Sequence, residues 1–239
     1  MTKTQLVVVR NDSRTRLPFA DVERVAAILD AQIANDFFPV WGIRADVVPV
    51  PARKKAPAGA WRVSIVDEQD GGGVHLYKGR PYARVKFRRD WTFMASHELL
   101  EMLADPFGTT FDHAPSIDPA ANGRMVRYLR EVCDPCLEFK YVSSDALKVS
   151  DFVTPEYYQH QAAGAHVDFM RKLPKPFHVP LGGYLSWIDP TDGRWHFLNT
   201  DGTFETGDRA DPNVNPRQDQ RANLLDLLRA GGTTRQLLD

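Results

Sequence analysis

The run Ser96-His97-Glu98-Leu99-Leu100-Glu101 carries the residue types of a metal hydrolase at the spacing such a site requires. His97 and Glu101 are four apart, so on a helix they project from one face. Glu98 sits beside them, about 100° further round. On helices bearing H-E-x-x-H, two histidines one turn apart hold zinc and the intervening Glu activates a water. Here Glu101 stands where the second histidine would be, and a carboxylate oxygen is an acceptable zinc donor. His97 and Glu101 are therefore candidate metal ligands. Glu98 is the candidate catalytic base, taking a proton from water and passing it to a leaving amine. A third ligand has to come from elsewhere in the chain.

The element that must present these groups is WTFMASHELLEMLADPFG, residues 91–108. Asp90 suits the N-cap, and no Gly or Pro occurs before Pro106, so a helix is expected over residues 91–104. Its apolar side chains cover several faces, as in a buried helix. Burial makes unpaired carboxylates costly and favours the metal reading. Two other readings stay open: a solvated acidic face, or pairing of the carboxylates with Arg84, Arg88 or Arg89 from the preceding strand. Asp105-Pro106 stops the helix, since Pro disfavours helical geometry in the residue before it. Asp105 also suits a supporting or ligating role.

SHELLEMLADP, followed about 30 residues later by REVCDPCLEF, resembles a family of bacterial and phage-associated proteins described as metallopeptidases. These share HExxExxxDP and then ExxDxxE. The matching residues are His97, Glu98, Glu101, Asp105 and Pro106, then Glu131, Asp134 and Glu138. The likeness runs from DFFPVWG to VSDFVTPEYY, about residues 20–160. The family is itself similar to the zincins. That implies a zincin-like N-terminal lobe: a mixed, twisted sheet with a backing helix and an active-site helix. An edge strand, here residues 82–87 with Tyr82, Arg84 and Val85, would align a peptide substrate by β-addition. By analogy with gluzincins, Glu131 is the third ligand and Asp134 the partner orienting His97, with Asp134 or Asp105 as alternative ligands. One imidazole and two carboxylates would give a less acidic ion than two imidazoles and one carboxylate. The expected cofactor is one divalent ion, zinc in the first place, with Mn, Mg and Ca suited to the harder donors. The implied function is a zinc-dependent peptidase; the alternative is a non-catalytic, metal-stabilised phage or prophage module.

Composition sets the bounds. The chain has 239 residues, 43% of them apolar and 26% charged, with a formal net charge of -1. Such a balance implies no general affinity for nucleic acid or anionic membrane. No run approaches the ~18 apolar residues of a membrane span, and the N-terminus has no signal-peptide core, so a cytoplasmic protein is expected. Cys133 and Cys136 make no disulfide framework, and no second pair completes a zinc set; two semi-buried structural thiols are expected. His75, His113, His160, His166, His178 and His196 are scattered. Among them His113 and His160 are candidates for a missing donor. No phosphate-binding loop or GxSxG nucleophile is present.

Periodicity predicts a helix over residues 19–38 ended by Pro39, and strands near residues 6–9, 43–50, 61–66, 74–77 and 82–87. Residues 107–123 read as loop, 124–136 as ambiguous, and 182–197 as a hairpin. The expected class is α+β. Its N-terminal lobe spans residues 1–106 and a smaller, irregular C-terminal lobe spans 107–205. A polar tail follows over 206–239, with a short helix at 222–230.

Overall fold

The computed structural model describes residues 4–69, 71–143, 145–159 and 166–207. The expected helix at 222–230, His160 and nearly all of the tail lie outside the described residues. The class is α+β. One sheet has the order β2-β1-β3-β5-β4, built from β1 (Gln5–Asn11), β2 (Ala45–Pro49), β3 (Trp61–Val66), β4 (Gly73–Tyr77) and β5 (Pro81–Lys86). Its first four strands run parallel, and β4 closes the edge antiparallel to β5.

Strand alternation decides which side chains meet the helices. The cross-strand row Val9, Val63, Ala83 and His75 lies on one face. Val9, Val63 and Ala83 belong to the main core, together with residues of α1 (Phe19–Gln32) and α3 (Trp91–Ala104). Both helices thus cover the same side of the sheet. Val8 of β1, on the opposite face, belongs to a small separate cluster with Val50 and Ala60.

The helix over residues 19–38 does not stop at Pro39. It passes through a π turn, Ile33–Phe37, into α2 (Phe38–Trp41), and ends at Gly42 in the left-handed conformation. Pro39 lies in the first turn of α2, where a missing N–H is tolerated.

Helix α3 has the bounds expected of it, and every residue in it except Thr92 is buried. Its apolar coat is needed because it is covered from more than one direction. It packs on β3, β4 and β5, and also on β9 (Lys148–Ser150), which pairs with β8 (Lys140–Val142). Asp90 holds the N-cap position without capping; its carboxylate takes Arg88 instead, at 2.6 Å.

The C-terminal half is more regular than expected. It holds an antiparallel sheet of order β12-β11-β10-β7-β6. The strands are β6 (Phe111–Pro115), β7 (Met125–Leu129), β10 (Leu185–Ile188), β11 (Trp195–Leu198) and β12 (Phe204–Gly207). β10 and β11 form the expected hairpin. The main core runs unbroken from Val7 to Trp187, so the segments on either side of residue 106 share it.

One positional expectation is overturned. β5, which carries Tyr82, Arg84 and Val85, is not an edge strand: it lies between β3 and β4. The polar residues Arg84 and Lys86 that suggested an edge alternate with buried Ala83 and Val85 and face away from the helices. Among the described residues, β4 has a strand on one side only. No described helix is long and apolar enough to cross a membrane.

Candidate metal centre

Three segments bring their polar side chains together. Helix α3 supplies His97, Glu98 and Glu101, all buried. The turn after β7 supplies Glu131 and Asp134. The third contributor is His75 of β4, a residue that motif spacing gave no reason to choose. Its direction is fixed by register, because it pairs with Ala83 and so faces α3. Alternation alone, with apolar Val74 and Leu76 on one side, would turn His75 away from the core; the pairing with β5 is what reveals its direction.

The distances have a common scale. Glu101 Oε1 lies 3.4 Å from His97 Nε2, and Asp134 Oδ1 lies 3.3 Å from the same nitrogen. Glu101 Oε2 lies 3.6 Å from His75 Nδ1, Glu98 Oε2 lies 3.5 Å from it, and Glu131 Oε2 lies 3.7 Å from His75 Nε2. These separations lie at or beyond the long end of N–H···O hydrogen bonds. Four donors about 2.1 Å from a tetrahedral ion would stand roughly 3.4 Å apart. Among the described residues the buried donors close into two trios, His97–Glu101–Cys133 and His75–Glu101–Glu131, with ligand atoms within 4.8 Å of one another.

This arrangement redistributes the expected roles. Glu131 does not join His97; its carboxylate faces His75. Asp134 approaches His97 through Nε2, the nitrogen that Glu101 also faces, and not through Nδ1 as an orienting partner would. Asp134 therefore shares the Nε2 side of His97 with Glu101. Asp105 Oδ1 accepts hydrogen bonds from Thr109 N, Thr110 N and Thr110 Oγ1, so it organises the turn that ends α3. Arg88 pairs with Asp90, and Arg84 donates to the Glu68 carbonyl, which engages both away from the cluster. His113 is exposed on β6, and Glu138 is exposed beyond the turn.

The surroundings hold the three segments in place. Cys133 N donates to Glu101 Oε1 at 3.3 Å, tying the turn to the helix. Tyr158 Oη donates to the Glu131 carbonyl, and Val153 N to the Val132 carbonyl. Behind α3, Ser96 Oγ donates to Gln32 Oε1 at 2.7 Å and accepts from Ser150 N at 2.9 Å; Gln32 Nε2 donates to the Ser150 carbonyl. This buried network fixes the rotation of α3 between α1 and β9.

Burial alone would lower the pKa of His97, but the Glu101 charge, the approach of Asp134 and Glu101 and the Glu98 charge raise it well above the ordinary value. Cys133 and Cys136 are fully buried and free, more enclosed than expected. Burial first, and then the Glu101 charge, pushes the Cys133 thiol well up. Burial and the charges of Asp151 and Asp168 do the same to Cys136.

A buried set of two imidazoles and four carboxylates with coordination-like spacing suits a divalent ion of the zinc or manganese type. Comparison with protein-family models, with curated proteins and with solved structures gave no match to this chain. The functional reading accordingly stands on the residues themselves.

Proposed function

We propose that the chain is a zincin-like, metal-dependent peptidase. In this reading His97 Nε2 and Glu101 Oε1 hold a divalent ion, with Asp134 as the nearest further carboxylate. The observation that carries it is the pair of carboxylate oxygens converging on one buried imidazole nitrogen at 3.3 and 3.4 Å. A divalent ion held there supplies Lewis acidity, acidifying water and polarising a carbonyl. Glu98 accepts the proton of the attacking water and returns it to the departing amine. The antiparallel edge strand β4, in place of β5, supports alignment of an extended peptide, because its outer side has no strand partner among the described residues.

The second reading is a metal-stabilised protein without catalysis. It is favoured by the depth of Glu98, which is 1% exposed and hence poorly placed to reach a substrate. Two measurements separate the readings. Metal content of the purified protein, and its loss in Glu101→Gln, tests for the ion. Cleavage of an unstructured protein substrate, abolished in Glu98→Gln with metal retained, tests for the peptidase. Bound metal with no cleavage by the wild type favours the second reading, and absence of metal removes both.

A further inference from the structure

Glu101 presents its two oxygens to two different imidazoles. Oε1 faces His97 Nε2 at 3.4 Å and Oε2 faces His75 Nδ1 at 3.6 Å. A carboxylate used in that way is a bridge. On its far side a second buried trio closes, His75–Glu101–Glu131. The side chains of all three are at most 3% exposed. We infer that this trio is a second divalent-cation position, which shares Glu101 with the first and makes the centre dinuclear.

Three observations support it. The first is spacing: the His75 contacts to Glu101 and Glu131, 3.6 and 3.7 Å, lie near the donor–donor edge of a coordination shell. Next, the trio draws on three separate elements: strand β4, helix α3 and the turn after β7. Register aims His75 at the helix, and Tyr158 Oη bonds the Glu131 carbonyl, so the ligands are held from opposite sides. Finally, the two trios have only Glu101 in common, so the donors around His75 form a set of their own beside His97. Ions bridged by a carboxylate lie about 3.5–4 Å apart in known two-metal sites. One imidazole with two carboxylates suits Zn or Mn, and accepts Mn more readily than a sulfur-rich site does.

This inference rests on the metal reading of His97 and Glu101 above, and the test keeps the two apart. The purified protein is stripped with chelator and titrated separately with Mn²⁺ and Zn²⁺. Bound metal is counted, and Mn²⁺ EPR is recorded. The expected result is about two equivalents and an exchange-coupled spectrum in the wild type. His75→Asn and Glu131→Gln, each checked for folding by circular dichroism, should retain one equivalent and give the uncoupled six-line signal of isolated Mn²⁺. A single equivalent with an uncoupled signal in the wild type overturns the second position; if that ion is lost in His97→Asn, the first position survives. Two uncoupled equivalents insensitive to His75→Asn and Glu131→Gln also overturn it. No metal in the wild type removes both positions together. The wild-type spectrum requires no variant to fold, so the outcome never depends on the mutants alone.

Discussion

The side chain of Glu98 lies in the space that a β-carbon on Gly73 would occupy: such an atom would stand 2.7 Å from Glu98 Cγ and 2.8 Å from Oε1. Strand β4 can approach the proposed base closely only because position 73 has no side chain. Gly73→Ala should therefore displace Glu98 while leaving His97 and Glu101 in place. The expected outcome is a fall in peptidase rate of about 10²-fold, as for a misplacement on the order of 1 Å. Bound metal should stay unchanged. Steady-state kinetics together with metal analysis checks it, and equal loss of both would contradict the assignment.

Proton release offers a second check. An imidazole must be neutral to ligate a metal. In the metal-free protein the carboxylates around His97 hold its pKa well above the ordinary value, so it carries a proton at neutral pH. Metal binding at pH 7 should release that proton, and affinity should rise with pH through neutrality. Calorimetry in buffers of different ionisation enthalpy measures the release. Binding with no proton exchange at pH 7 would place the ion away from His97.

The network behind α3 is expected to matter for stability more than for chemistry. Replacing Gln32 with Met strands the hydroxyl of Ser96 and the carbonyl of Ser150 in the core. Each such group costs about 1–3 kcal/mol. Urea unfolding should show the loss with an unchanged slope, whereas a change within ~0.5 kcal/mol would mean that water replaces the amide.

A pH-dependent term comes from Asp151. Burial, reinforced by the hydrogen bond and charge of Asp168, pushes its pKa up to about 8. The folded protein therefore binds a proton that the unfolded chain releases near the usual ~3.9. Raised in the folded state, this group contributes a stability term that is complete below the unfolded pKa and fades as pH climbs towards 8. Asp151→Asn keeps the oxygen that accepts from Phe152 N and Met170 N and supplies a permanent donor to Asp168. The variant should flatten the decline between pH 5 and 8 in denaturation midpoints. A wild-type curve already flat there would contradict the shared proton.

Much of this was legible from local pattern. Helix α3 announced itself through an apolar run closed by Asp105-Pro106, and the β10–β11 hairpin through its Asp-Gly turn, because both depend on neighbours in sequence. His97, Glu98 and Glu101 were visible because a helix converts spacing into a shared face. His75 was not, since its place depends on which residue of β5 it opposes, and pairing is a property of two strands. The same limit explains β5: alternation of Arg84 and Lys86 with Ala83 and Val85 reports one wet face, and says nothing about whether another strand adds alongside. β6 was hidden in a stretch whose Asp112, His113 and Pro115 suggest a loop.

The continuous core has a consequence for synthesis on the ribosome. When residues up to 106 have emerged from the ribosome, the parallel strands and α1 can already assemble, but β9, which packs on α3, and Phe152, which shares its core, are still untranslated or inside the exit tunnel. Over that interval a helix greasy around its girth stands partly bare, which makes the half-made protein a natural client for chaperones that shield nonpolar surface.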